Sequence, residues 1–318
     1  MPAPIALFAY RRPEHLRRAL AALRANPEAK ATSLYVFADG AKNANAAAGV
    51  EEVRRLLQQI DGFQSVHVCR REENYGLARN LTSGISEVLR EHDSVIVVED
   101  DIVVSPVFLR FMNEALACYR DEPRVGSISG YCYPLTADVP ETFFIRGADC
   151  WGWATWRDRW QVYNPNGREL LGQLRDRKLT RAFDLDHTMS FTRMLKQQIA
   201  GKVDSWAIRW HASCYLRDLL ILYPRRSLVQ NIGNDGTGTH SQEAGTEHDV
   251  ALSSTAVAVG GIAIEENAAA REAFRQFFQG AYVRSHPFRR IVTTMIDLLG
   301  LRKTVRRLRS WGFLPRRV

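Results

Sequence analysis

A chain of 318 residues with 46% hydrophobic, 25% charged and 10% aromatic residues has the composition of an ordinary globular protein, long enough to bury a core without staples. Its net charge of +8 is concentrated: residues 283–318 hold ten Lys or Arg and one acid, Asp297, which leaves the body near neutral. That distribution argues against a nucleic-acid-binding surface over the whole protein and points to a localised anionic partner for the C-terminal end.

Residues 5–10 form a short apolar run that predicts a first strand. Pro13 stands where a proline belongs in a helix's first turn, and Leu16, Leu20 and Leu23 mark one face of that helix. Residues 34–38 predict a second strand, ending at Asp39-Gly40. Val50, Val53, Leu56, Leu57 and Ile60 predict a second helix, stopped by Asp61-Gly62. Residues 66–69 predict a third strand, 80–89 a third helix, and 94–98 a fourth strand, followed by a helix over 106–119 and a strand over 125–129. Strands alternating with helices imply right-handed crossovers and a doubly wound, mostly parallel α/β sheet. Such sheets bind ligands outside the carboxyl ends of their strands. Asp39, Asn74 and the triplet Glu99-Asp100-Asp101 are therefore expected to share one crevice. The pattern changes after about residue 140: residues 143–163 are rich in aromatics, 179–219 read as helical with a break near Gly201, and 224–248 as a polar, glycine-rich loop.

The triplet follows the apolar run Val95-Ile96-Val97-Val98. Three adjacent carboxylates repel one another and are costly to bury, so a cation is expected to neutralise them. Hard divalent ions such as Mn or Mg suit oxygen ligands and often bind through one or two carboxylates plus substrate phosphates. The alternative is a solvated strand end beside a helix N-terminus, although Pro106 begins the next helix several residues later. The segment Asn74-Tyr75-Gly76-Leu77-Ala78-Arg79-Asn80 reads either as a turn and helix start, or as a loop whose glycine lets backbone approach a nucleotide while Arg79 reaches a phosphate.

The spacing N-x-G-x-x-x-N, the Asp after the second strand and the acidic triplet after the fourth together resemble nucleotide-sugar glycosyltransferases of the GT-A fold. The chain is similar to family-2-like bacterial enzymes and to the animal N-acetylglucosaminyltransferase I group, which also carries Glu-Asp-Asp. The resemblance covers about residues 4–245 and leaves out 265–318. It implies that Asp39 hydrogen-bonds a uracil-like base and that Tyr10 and Arg11 lie beside the nucleotide. Asp101 would ligate the metal, with Asp100 and Glu99 on the ribose or donor sugar. It also implies three regions: residues 1–135 as the nucleotide-sugar-binding half, 136–262 as the acceptor-binding and catalytic half, and 263–318 as a basic helical tail.

Asp204 either N-caps the helix that starts near Trp206 or, as the resemblance implies for an inverting enzyme, takes the proton from the acceptor hydroxyl. Asp158, between Arg157 and Arg159, is its rival, with a simple ion pair as the alternative. Trp151 and Trp153 are expected in the donor or acceptor sugar pocket, while Trp156 and Trp160, four residues apart, read as core. His240 either ligates the metal or touches the diphosphate, or is a solvent-facing loop histidine. Its glycine-rich surroundings suit a segment that closes over the donor.

From Phe288 onward, apolar residues at helical spacing alternate with Arg289, Lys303, Arg306 and Arg307 and end at Trp311 and Phe313. A basic amphipathic helix of this kind reads as lying on an anionic membrane surface, or else as docking on the protein itself. No run reaches the roughly 18–20 apolar residues of a membrane span, and the N-terminus lacks a leader pattern. Cys69, Cys118, Cys132, Cys150 and Cys214 show no C-x-x-C spacing and predict free thiols in a reducing compartment. The expectation is a metal-dependent, inverting glycosyltransferase, cytoplasmic and peripheral at the inner membrane face. Its donor would be a nucleotide diphosphate sugar, UDP-linked in the first instance, and its acceptor a glycan or lipid-linked glycan of bacterial surface polysaccharide. A nucleotidyltransferase is the alternative, but the first loop, Phe8-Ala9-Tyr10-Arg11-Arg12-Pro13, lacks the glycine a triphosphate-binding loop needs. A non-catalytic glycan- or membrane-binding module is the third reading.

Overall fold

The structure, a computed structural model, describes residues 1–235 and 248–285. His240 and the amphipathic segment from Phe288 onward lie outside the described residues. The elements run β1 (Ile5–Ala9), α1 (Pro13–Arg24), β2 (Ser33–Ala38), α2 (Ala44–Leu57), β3 (Ser65–Arg70), α3 (Gly76–Glu91), β4 (Ser94–Glu99), β5 (Ile102–Val104), α4 (Phe108–Cys118), β6 (Val125–Ser129), β7 (Thr142–Arg146) and β8 (Trp153–Trp156). They continue with α5 (Arg157–Trp160), α6 (Gly167–Asp176), α7 (Thr180–Phe183), α8 (Phe191–Ile199), α9 (Trp206–Leu216), β9 (Leu220–Pro224), β10 (Val229–Asn231) and α10 (Ala268–Ser285).

Eight strands form one sheet in the order β3-β2-β1-β4-β8-β6-β9-β7, and β5 pairs with β10 in a two-stranded ribbon. The first four are mutually parallel, as the strand–helix alternation predicts. β4–β8, β6–β8 and β7–β9 are antiparallel, so the sheet is mixed. β1 is buried along its whole length, and Val95–Val98 of β4 is buried on both faces. This explains their continuous apolar runs, since central parallel strands are covered on both sides. β3, at the sheet edge, is half-exposed and carries His67 and Arg70 there. α1 starts with Pro13 in its first turn and buries Leu16, Ala19 and Leu23 against the sheet. Each of the two leucines contributes roughly 1.5–3 kcal/mol by that burial.

Residue 135 marks no break in the sheet, because β6, from the first 135 residues, lies between β8 and β9. α10 docks through Phe274 and Phe278, which pack edge-on against Tyr133, with Phe274 also against Phe143 and Tyr223. Arg271 of α10 pairs with Asp186 at 2.8 Å.

Candidate active site

The parallel strands end in register. The Asp39 N–H donates to Ala9 O, and the Asp100 N–H to Phe8 O, both at 2.9 Å. The residues just past β1, β2 and β4 therefore meet on one side of the sheet. The ribbon closes the same region, as β10 runs back along β5 and the Ile232 N–H donates to Asp101 O at 2.8 Å.

Asp39 is buried and its carboxylate is saturated. Oδ1 accepts from the N–H groups of Gly40 (2.9 Å) and Tyr75 (2.7 Å). Oδ2 accepts from Asn74 Nδ2 and the Gly76 N–H, each at 3.0 Å. A carboxylate offers about four acceptor positions; here three serve the turn that opens α3 and the fourth takes the N–H of Gly40 beside it. Gly76, the first residue of that helix, has φ +72°, a conformation that favours glycine. An anion at this place also complements the helix N-terminus. Both asparagines of the N-x-G-x-x-x-N spacing bind backbone: Asn74 Nδ2 reaches Gly40 O at 2.8 Å, and Asn80 Nδ2 reaches Phe37 O at 3.2 Å. The motif thus ties α3 to the end of β2.

The acidic triplet is held by a residue the sequence reading passed over. Arg12 Nη2 donates to Asp100 Oδ1 at 2.7 Å and to Asp101 Oδ2 at 2.6 Å. Asp100 is buried, and its Oδ2 also accepts from the Tyr10 N–H at 3.1 Å. Burial pushes the Asp100 carboxyl above its usual range, against the opposing pull of Arg12. Glu99 is pushed up to about 8 by burial and then by Asp101 and Asp100. Burial works against the Arg12 charge, but Asp100 and Asp101 outweigh it and hold the guanidinium firmly protonated. Two of the three adjacent carboxylates, Asp100 and Asp101, share a single guanidinium, and paired oxygen donors of this kind suit a hard divalent cation that takes its remaining ligands from substrate phosphates. Among the described residues, no group of three His, Cys, Asp or Glu side chains is arranged to hold a metal.

Asp204 reaches the same crevice from the other half. A Cβ placed on Gly76 would lie 3.6 Å from Asp204 Oδ2. The structure settles the capping question: Ser205 Oγ accepts from the Ile208 N–H at 3.3 Å and caps α9, which leaves the exposed Asp204 carboxylate outside that role. Its charged neighbour is Arg209, at 3.9 Å. Asp158 is exposed and paired with Arg159 at 2.5 Å, which matches the ion-pair reading.

Other expected site residues lie elsewhere. Trp153 is fully buried in the core, stacked on Trp206 at 5.7 Å and packed against Trp210 and Trp160. Its side chain is therefore a core element with no face left for a sugar, which corrects the pocket expectation. Trp151 is half-buried, with its edge on Tyr131 at 4.8 Å and His248 at 5.6 Å. Trp156 and Trp160 are buried, as their spacing predicts. Arg79 is largely exposed, stacked on Tyr75 at 3.6 Å and 3.5 Å from Glu73. Tyr10 lies beside the crevice with its OH accepting from the Lys42 N–H at 3.1 Å, and the exposed Arg11 sits 5.8 Å from the Tyr10 ring.

Asp149 also escaped the sequence reading. It accepts from the Cys150 N–H at 2.7 Å and from Tyr133 and Tyr223 OH at 3.1 and 3.4 Å, and burial raises its carboxyl. Burial, and then the charges of Asp149 and Glu99, raise the neighbouring Cys150 thiol well above its ordinary value. No periodicity marks Asp149. Arg12 was detectable in principle, because it and Arg11 follow β1 as the triplet follows the neighbouring β4.

A mixed, mostly parallel α/β sheet with acids at the ends of β2 and β4, the strands on either side of β1, is consistent with the GT-A arrangement. The sequence model described as Glycosyl transferase family 2 matches residues 5–196, and the chain belongs to that family. Among solved structures, S. aureus TarS is similar over 74% of this chain at 12% identity with a TM-score of 0.43, and S. aureus TarS 1-349 over 73% at 11% identity with a TM-score of 0.38. The chain spans 37% and 61% of those two proteins. No curated protein matches it.

Proposed function

We propose that this chain is a metal-dependent, inverting glycosyltransferase, and that it moves a sugar from a nucleotide diphosphate sugar, UDP-linked in the first instance, to a hydroxyl of a glycan or lipid-linked glycan in bacterial surface polysaccharide assembly. The observation that carries the reading is the convergence of Asp39, the triplet and Asp204 on one crevice at the strand ends. The Asn74–Gly76 turn, held open by Asp39, forms the floor for the nucleotide. Asp101, with His240, would hold Mn or Mg, with Asp100 and Glu99 toward the ribose or donor sugar. When bound, the cation stabilises the charge that develops on the departing diphosphate. The acceptor oxygen attacks the anomeric carbon from the face opposite the diphosphate. The bond to the nucleotide diphosphate breaks and its electron pair leaves with that group. Asp204 takes the hydroxyl proton as the new C–O bond forms.

Thermal stabilisation by UDP, GDP, CMP and dTDP, each with and without Mn, tests this reading. A selective, metal-dependent rise for one of them is expected. No rise with any nucleotide would move the binding-module reading to the front. The basic segment 285–318 is proposed to rest on anionic membrane. Its deletion is expected to release the protein from anionic liposomes, and continued binding would remove that proposal.

A further inference from the structure

We propose that Arg12 is the resident counter-ion of the Asp100–Asp101 pair, and that a divalent cation enters the site only in exchange for it, drawn in together with the donor diphosphate. The inference rests on the nucleotide-sugar reading of the crevice. One nitrogen, Arg12 Nη2, bridges both carboxylates, at 2.7 and 2.6 Å. The other side of Asp101 Oδ2 is closed by the backbone of Gly233. A Cβ at that residue would collide with Asp101 Oδ2 and lie 2.8 Å from Arg12 Nη1. The Asp101 oxygen is therefore bracketed by a guanidinium and a glycine, and a metal ion cannot take it while Arg12 keeps its place.

Protons cannot clear the site, because an arginine stays charged throughout the working pH range. The displacement needs a competing cation for the acids and a competing anion for the arginine. Arg12 is equipped for the second requirement. Its Nη1 is buried and without a hydrogen-bond partner among the described residues. A guanidinium with a free edge binds phosphate oxygens strongly and in a fork. A metal bound without diphosphate leaves Arg12 buried and unpaired, and diphosphate bound without metal leaves the acids short of positive charge. Metal and nucleotide must therefore bind with strong mutual cooperativity, each raising the affinity of the other by the same factor.

The test measures Mn binding by calorimetry and by electron paramagnetic resonance on the full chain, with and without UDP, for the native protein, Arg12→Met and Arg12→Lys. UDP is expected to raise the Mn affinity of the native protein by at least about tenfold. Arg12→Met is expected to bind Mn alone about tenfold or more tightly than the native protein does, with the cooperativity lost. Mn alone should also raise the Tm of this variant, because it restores charge to the stranded acids. Arg12→Lys, a point charge that cannot form the fork, keeps the fold and is expected to lie between the two. If either folded variant binds Mn alone no more tightly than the native protein, the exchange is overturned. If Mn binds none of the three while UDP still binds, the exchange fails with the metal reading, and the nucleotide site stands. If UDP binds none of them, with or without Mn, the nucleotide-sugar reading itself has failed and the exchange falls with it.

Discussion

The two sides of the sheet were built by different rules. β3, β2 and β1 are parallel neighbours joined in succession by α1 and α2, and α3 carries the chain back from β3 to place β4, parallel again, on the other side of β1. β8, β6, β9 and β7 interleave pieces of chain as far apart as Val125 and Leu220, pair mainly antiparallel, and fill their surroundings with aromatics. The parallel side carries the charged part of the crevice, with Asp39, Arg12 and the triplet at its strand ends. The other side contributes Asp204 and a tryptophan-rich wall. One half thus holds charge in fixed backbone cradles, while the other supplies a stiff apolar frame from which a single exposed carboxylate projects.

The largest effect expected from breaking this division is at Asp204. Asp204→Asn should lower kcat on the order of 10²–10⁴-fold with donor affinity nearly intact. Near-normal turnover would move the base to Asp158 or elsewhere. Trp153→Ala should cost about 3–5 kcal/mol of stability, because it empties the centre of the tryptophan cluster. If Trp153 is frame rather than platform, the variant that remains folded binds donor normally. Selective loss of donor affinity at unchanged stability would return it to the sugar pocket.

A smaller effect separates the halves by pH. His211 lies among Phe183, Phe191 and Tyr215, with the Ala148 N–H donating to its Nδ1 at 3.0 Å. Burial lowers its pKa to about 4, partly opposed by the contact with Ala148. The folded state then resists a proton that the unfolded chain accepts near pH 6.5. The His211 contribution is complete above about 6.5 and is lost as the pH falls toward 4, on the order of 1–3 kcal/mol across that window. His211→Gln should flatten this part of the Tm–pH curve, and an unchanged slope would place the titration elsewhere.

The sequence was most legible where structure is local and repetitive. The strands of the parallel side, the helix faces and the placement of the acids at strand ends all follow from apolar runs punctuated by Asp-Gly and Asn-x-Gly. β5 and β10 escaped because three-residue strands carry no periodic signal. β7, β8 and β9 escaped because their alternation is masked by burial on both faces. Trp153 shows the same limit at the scale of one residue: its neighbourhood marked it as aromatic-rich, but which way the ring points depends on Trp206 and Trp210, more than fifty residues away.

By itself, the sequence determined the layered α/β class and the carboxylates gathered past β2 and β4, since hydrophobic period and strand-end position act over a few residues. Tertiary structure alone decided the partners of those carboxylates. Asp39 closes on the α3 turn, Asp100 and Asp101 close on Arg12, and Ser205 rather than Asp204 caps α9. The physical reason is that a buried charge is stable only beside a donor or an opposite charge, and the chain meets those groups only once strands distant in sequence lie side by side.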